Sequence, residues 1–285
     1  MKQSVCIGIS APEVKLAKAL HSNKKIPADV SDACKISSDR LFICEGLWAV
    51  KKIISNNIFA PYFFFCPEMI KTEEEKVLID MMINYASQSF SISSKVCSKI
   101  SDRDGADGFF IIADLPEYSL ADIKLKDNMT AIILDGQEQP GNIGAIIRSL
   151  DGAGGDFAVM TNQRVKMTHS RLIRSSLGAS FTMPVAEAPM DNLIAWLSDN
   201  NFKIILTDLS AKENYYNVDY SGRVAIVAGN EFNGISGKWR TLSNSIPIII
   251  PMLGGCESLN VGFASTLVAY ECSLTQKGLL KRAGS

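Results

Sequence analysis

Two kinds of apolar patterning alternate along the chain: short unbroken runs, and apolar residues spaced three and four apart. In the first half Leu41–Cys44, Ala60–Cys66, Phe90–Ile92 and Phe109–Ala113 are strand-like runs. Glu45–Ser55 sets Leu47, Val50, Ile53 and Ile54 at helical spacing. Thr72 is placed to cap a further helix, with Glu73–Glu75 in its first turn and a stripe of Val77, Leu78, Met81 and Met82. The stretch Asp114–Asn128 is polar, alternates in charge and carries Pro116, the marks of a join between domains.

The pattern then restarts. Thr130–Leu134, Asp156–Met160, Phe202–Thr207, Val224–Ala228 and Ile246–Ile250 are apolar runs without alternation, the signature of strands buried on both faces. Between them lie helical stretches at Asn142–Ala153, Thr168–Leu177, Met190–Asn200 and Leu259–Cys272. The fold class expected is therefore α/β, with a largely parallel sheet covered by helices in the second half. The division expected is a smaller α/β domain over residues 1–115, a linker over 116–128 and a second domain over 129–285. In such sheets ligands sit at the carboxyl ends of the strands.

Composition narrows the classes. Of 285 residues, 47% are hydrophobic and 21% charged, which opposes wholesale disorder. No apolar run approaches the roughly 18 residues of a membrane span, and Met1–Glu13 lacks a secretory apolar core, so a soluble, cytoplasmic chain is expected. Seven cysteines, an odd number with no Cys-x-x-Cys, read as buried thiols rather than a disulfide framework or zinc site. His21 and His169 are the only histidines, too few for a His-based metal centre or a Ser-His-Asp triad, and no metal is expected. With a net charge of −1, nucleic-acid binding would have to come from local patches.

Four segments carry candidate chemistry. Asp135–Arg148 ends a strand, turns at Pro140 and Gly141, and is read as starting a helix at Asn142. Arg148 stands among Ile146, Ile147 and Leu150, where a guanidinium either finds a specific partner or packs its stem with its head in water. The glycine-rich Leu150–Gly155 that follows is a decoy for a dinucleotide loop: Phe157 breaks Gly-x-Gly-x-x-Gly, and the run closes a helix instead of opening one. From Thr161 to Ala186 there are Arg164, Lys166, Arg171, Arg174 and His169 but no carboxylate, a pattern that suits a phosphate track as well as a solvated face. Ile226–Ser236 ends a strand at Gly229 and turns through Asn233-Gly234, with Glu231 free to pair or to cap. Ile249–Ala264 breaks a strand at Pro251, crosses Gly254 and Gly255, and reaches Ser258 and Asn260 at a helix start, where exposed N–H groups suit a polar or anionic ligand.

Taken in order, Asn142-Ile-Gly-Ala-Ile-Ile-Arg148, Arg174-Ser-Ser-Leu-Gly-Ala179, Gly229-Asn-Glu231 with Gly234, and Ile250-Pro-Met252 with Glu257-Ser-Leu-Asn-Val261 resemble the motifs of the TrmH (SpoU) family of the SPOUT superfamily of RNA methyltransferases. Leu41-Phe-Ile-Cys-Glu-Gly46 resembles the start of the substrate-binding module that precedes the catalytic domain in many members. The resemblance implies a C-terminal domain with a deep trefoil knot whose loops bind S-adenosyl-L-methionine. It also implies a homodimer with active sites at the subunit interface, and methyl transfer to a ribose 2′-hydroxyl of RNA. Ribosomal RNA is the expected substrate, ahead of tRNA; a catalytically silent RNA-binding protein of the same fold is the alternative from another class. By the same resemblance Arg148 works beside the hydroxyl, as a base with a lowered pKa or as a clamp, and Asn142, Glu231, Ser258 and Asn260 complete the polar site. Gly229, Ile250, Leu259, Met252 and Thr207 are the implied cofactor contacts, and Arg164, Lys166, Arg171 and Arg174 the candidate RNA contacts. Asp151, Phe232, Cys256 and Gly262 depart from residues common in the family, which bears on pocket shape and RNA fit and removes no catalytic side chain.

Overall fold

The computed structural model describes residues 4–101 and 108–280. Contacts divide the chain into two compact units, Met1–Pro116 with Met167–Gly178, and Glu117–Lys166 with Ala179–Ser285. The first unit opens with β1 (Val5–Cys6), α1 (Pro12–His21), α2 (Ala28–Ala33), β2 (Leu41–Glu45) and α3 (Leu47–Ser55). It continues with β3 (Tyr62–Phe65), α4 (Glu73–Tyr85), β4 (Gln88–Ser91), α5 (Ser94–Ile100) and β5 (Phe109–Asp114). Its sheet runs β1-β4-β3-β5-β2, with β5 antiparallel to β3 and to β2 and the other pairs parallel. Strands β2 and β3 are buried throughout, and Phe64 packs on Phe90 with ring centroids 5.4 Å apart. Thr72 does cap α4: its hydroxyl accepts the Glu75 amide at 3.2 Å, and the Glu75 carboxylate accepts the Thr72 amide at 2.8 Å. Helix α1 gives no such signal, because Ala11 precedes it and caps nothing with its side chain.

In chain order follow β6 (Met129–Asp135), α6 (Pro140–Ala153), β7 (Phe157–Thr161) and α7 (Ser170–Ser176). Helix α7 belongs to the first unit and packs on β2. Its first amide, on Ser170, donates to Asn23 Oδ1 at 2.8 Å; the Ser170 hydroxyl donates to the His21 carbonyl at 2.8 Å and accepts Asn23 Nδ2 at 2.9 Å. Asn23 reaches this position with φ of 54°, a left-handed conformation asparagine tolerates well. Leu172 and Ile173 are wholly buried there, which fixes Arg171 and Arg174 on the outer side of α7.

The second unit is completed by α8 (Ala179–Thr182), β8 (Val185–Glu187), α9 (Met190–Asp199), β9 (Phe202–Thr207), β10 (Glu213–Asn214), β11 (Arg223–Ala228), α10 (Gly237–Arg240), β12 (Ser245–Ile249) and α11 (Val261–Gln276). Its seven strands form one sheet, β10-β12-β9-β11-β6-β7-β8, and every pair is parallel. Side chains alternate across it. Met129, Ala131, Ile133, Phe157, Val159 and Phe202 face a core closed by Leu193, Leu197 and Trp239, with Phe157 and Phe202 edge to face at 5.9 Å. On the other face α6 and α11 pack against each other and the sheet, with Ile143, Ile146, Ile147 and Leu150 of α6 wholly buried. Each such side chain contributes about 1.5–3 kcal/mol. Strand β12 departs from the expectation of a fully buried strand: Ile248 alone is buried in it, because among the described residues the strand beyond it is the two-residue β10. The polar stretch taken for a linker packs in the second unit, where Ile123 is buried and Tyr118 and Leu120 lie against the core.

Two terminal contacts hold α11 at the edge of the sheet opposite its carboxyl ends. Gln276 Nε2 donates to the carbonyls of Met129 (3.2 Å), Tyr220 (2.9 Å) and Gly222 (2.9 Å). Lys277 Nζ donates to the Ala153 and Gly154 carbonyls at 3.2 Å, capping α6 where Gly154, at φ of 71°, ends it. The glycine run after Leu150 is thus a helix stop. Burial pushes the Cys272 thiol beside this anchor up to about 12.

Candidate active site

At the carboxyl ends of β9, β11 and β12 the connecting loops enclose a cavity of about 450 Å³. One side is apolar, formed by Ile235, Ile248, Ile250 and Ala264, and the rim carries Glu231, Ser258 and Asn260. Thr207, Gly229, Met252 and Leu259 complete the part relevant here. The turn after β11 is built on a close backbone approach. Asn230 and Gly234 exchange both backbone hydrogen bonds at 2.9 Å, so a Cβ on Gly229 would stand 2.5 Å from the Gly234 carbonyl carbon and the Ile235 nitrogen. Asn230 Oδ1 accepts the amides of Phe232 and Asn233 at 2.9 Å, and its Nδ2 donates to the Gly136 carbonyl at 2.8 Å. Gln137 Nε2 donates to the Ala228 carbonyl at 3.2 Å and to the Gly229 carbonyl, tying β11's end to the loop after β6.

Three separated segments meet on the rim. Asn142 Nδ2 donates to Glu231 Oε1 at 3.0 Å, and the Glu138 amide donates to Glu231 Oε2 at 3.3 Å. Asn260 Nδ2 donates to Asn142 Oδ1 at 3.5 Å, while Asn260 Oδ1 accepts the Gly262 amide at 2.8 Å and so caps α11. Beneath them Asp135, 1% exposed, accepts from Asn162 Nδ2 (2.7 Å), the Ser236 amide (3.0 Å) and Trp239 Nε1 (3.1 Å). A carboxylate with three donors is a satisfied buried charge that locks the loops after β6, β7 and β11 together.

The helix starts differ from those read in the sequence. Helix α6 begins at Pro140, with proline at the first position, so Asn142 lies inside the first turn and its amide is free to reach Glu231. Helix α11 begins at Val261 with Asn260 as its cap, which leaves Ser258 on the cavity wall. Arg148 is exposed on α6 and does not line the cavity of its own chain. Arg164 and Lys166 are exposed after β7, in the second unit. His169, cap of α7, accepts the Arg171 amide at 3.2 Å, and burial followed by the Arg171 charge holds its imidazole below its ordinary pKa. Thus Thr207, Gly229, Glu231, Ile250, Met252, Ser258, Leu259 and Asn260 surround one space with Asn142 tied to its rim, and the five basic candidates lie off its walls. Sequence reasoning passed over Asp135, Gln137 and Asn230, although all three stand inside quoted segments; a carboxylate and an amide directly after a buried strand were the available signal.

An all-parallel sheet with a mixed apolar and polar cavity at its carboxyl edge is the layout of α/β domains that bind nucleotide-like ligands. The sequence model of the SpoU rRNA Methylase family matches residues 129–270. A Staphylococcus saprophyticus protein assigned to the TrmH family of tRNA/rRNA methyltransferases is 30% identical over 194 residues, 65% of this chain and 78% of its own. The chain belongs to the SpoU family. The 23S rRNA (uridine(2479)-2′-O)-methyltransferase of Streptomyces viridochromogenes is 28% identical over 166 residues, 56% of this chain and 58% of that enzyme. The structure of an AdoMet-bound rRNA methyltransferase from Sinorhizobium meliloti shares the fold, with a TM-score of 0.81 at 23% identity, covering 98% of this chain and 99% of that one.

Proposed function

We propose that the protein is a cytoplasmic, homodimeric methyltransferase that uses S-adenosyl-L-methionine to methylate a ribose 2′-hydroxyl of ribosomal RNA. The observation that carries this reading is the hydrogen-bonded run Asn260–Asn142–Glu231 on the rim of the cavity, which unites three of the family's motifs. The cavity fits the cofactor by its chemistry: an apolar wall of Ile248 and Ile250 suits adenine, and the backbone of Gly229 and of the loop through Leu259 suits its polar edge and ribose. When bound, S-adenosyl-L-methionine supplies a methyl group on a positively charged sulfur. The protein's part is to align the hydroxyl oxygen with that methyl and to let its proton go. Glu231, held by Asn142 and the Glu138 amide, keeps lone pairs for a ribose hydroxyl.

Because Arg148 lies outside its own cavity, the reading assigns it to the cavity of a second copy. Helix α11 offers a face for that copy: Phe263, Leu267 and Tyr270, spaced four and three apart, are 71%, 36% and 40% exposed. The Tyr270 hydroxyl lies 3.1 Å from where a Cβ on Gly152 would stand, and Gly152 is one turn beyond Arg148, so the apolar stripe reaches the arginine's neighbourhood. A guanidinium delivered there can hold hydroxyl and phosphate together through paired donors. Phe263→Asp is expected to convert a dimer into a monomer by light scattering, with helix content retained and methyl transfer reduced at least tenfold.

The reading includes a deep trefoil knot in the second unit, supported by family membership and by a strand order that sends β11 and β12 to opposite sides of β9 before α11 returns to α6. It takes the first unit, Met1–Pro116 with Met167–Gly178, as an RNA-binding module and the second, Glu117–Lys166 with Ala179–Ser285, as the catalytic domain. Arg164, Lys166, Arg171 and Arg174 are its phosphate contacts, supported by their exposure without an acidic partner among the described residues. The test is to incubate the protein with S-adenosyl-L-methionine and ribosomal RNA and to map alkali-resistant linkages. One methylated ribose in ribosomal RNA is expected; transfer to tRNA alone, or none, overturns the reading.

A further inference from the structure

The cofactor cavity is not alone on the carboxyl edge of the sheet. The turn Asn230–Gly234 that walls it also walls a second cavity of about 470 Å³, whose other side is formed by the ends of β6 and β7. The two differ in kind. The first is half apolar; every side chain lining the second is polar or charged, among them Glu138, Asn162, Gln163, Arg164 and Asn233. Asn162 is committed to Asp135, and Asn230 to the turn. The side-chain carboxamides of Gln163 and Asn233 and the guanidinium of Arg164 belong to exposed residues and have no partner among the described residues. Glu138 joins the two spaces, because its backbone amide holds Glu231 while its side chain lines the second cavity.

We propose that this second cavity receives an unstacked nucleobase of the RNA, from the nucleotide next to the methylated ribose, with its edge read by Gln163 and Asn233 and its phosphate held by Arg164. The proposal rests on the methyltransferase reading. Single-stranded RNA is recognised by splaying bases out and bonding their edges. A carboxamide carries both a donor and an acceptor, which matches base edges that mix the two. Strands β11, β6 and β7 are successive neighbours about 4.8 Å apart, so the cavity lies within about 10 Å of the end of β11, a distance one nucleotide can bridge. Charge sorts the two halves of that nucleotide: the Glu138 carboxylate repels a phosphate and accepts base N–H groups, and Arg164 does the reverse.

The test uses the full chain, with calorimetry of S-adenosyl-L-methionine binding and fluorescence anisotropy with labelled 12-nucleotide oligo(U), oligo(A) and oligo(C). Gln163→Ala/Asn233→Ala is expected to bind the cofactor within twofold of wild type and to collapse a preference among the three oligonucleotides from about tenfold to under twofold. Arg164→Ala is expected to weaken all three alike and to lower the salt slope by about 0.7. A double variant that keeps the preference, or a wild type that shows none, overturns the base-reading cavity alone. A wild type that binds the cofactor but no RNA overturns the methyltransferase reading as well.

Discussion

Arg148→Ala is expected to slow methyl transfer to ribosomal RNA by about 10²–10⁴-fold, while S-adenosyl-L-methionine affinity stays within twofold of wild type. Cofactor binding is spared because the walls that would hold the cofactor are built from Thr207, Gly229, Ile250, Met252 and Leu259, and Arg148 is assigned to the hydroxyl and phosphate of the RNA. Arg148→Lys separates the two roles open to this residue. Lysine keeps the charge and loses the planar paired donors. A clamp would therefore leave the pH–rate profile unchanged in shape and lower its height, whereas a proton acceptor would move its rising limb to lower pH, because lysine gives up its proton more readily than arginine. Mixing Arg148→Ala with a variant defective in the cofactor cavity gives a further check. If the arginine crosses to the partner, mixed dimers regain one complete site each, and an equal mixture recovers about a quarter of wild-type turnover. Wild-type rates in Arg148→Ala would remove the residue from the reaction.

Gly229→Ala is expected to abolish cofactor binding measured by calorimetry and to lower stability. The new Cβ meets backbone atoms of Gly234 and Ile235 at 2.5 Å, and backbone cannot rotate away as a flexible side chain can. The exchange of hydrogen bonds between Asn230 and Gly234 must open, the support Asn230 gives to Phe232 and Asn233 goes with it, and Glu231 leaves Asn142. Overpacking of this sort costs about 3 kcal/mol. In a chain of this size that corresponds to a fall in Tm on the order of 6–12 °C by scanning calorimetry. An unchanged Tm with intact cofactor binding would show that the turn is not the rigid wall described above.

What the sequence made legible was local. The seven strands of the parallel sheet include five apolar runs visible without any structure, and the loops after β6, β11 and β12 declared themselves through Pro140, Gly229 and Gly254-Gly255. Elements stabilised by tertiary contact left no such trace. Helix α1 has no side-chain cap, α2 spans six residues, and β8 and β10 span three and two. The linker reading failed to see Tyr118, Leu120 and Ile123, because alternating charges surround them and the core they pack on is remote in sequence. For the site, residue types were readable and partnerships were not. Nothing in the spacing of Asn142 and Glu231, 89 positions apart, announces a hydrogen bond between them. The seat of Arg148 was equally hidden, since its place depends on which face of α6 the hydrophobic residues Ile143, Ile146, Ile147 and Leu150 claim.

The assignment of Met167–Gly178 to the first unit gives the molecule an order of assembly. While the chain is being synthesised, the flank of β2 that α7 covers stays bare until after β6, α6 and β7 have emerged. The first unit therefore matures late, with about a third of its neighbour already made. The same interleaving means that no single cleavage separates the halves: cuts are needed after Pro116, Lys166 and Gly178. A fragment starting at Glu117 would carry α7 without its seat, turning Leu172 and Ile173 out into water as a sticky flap.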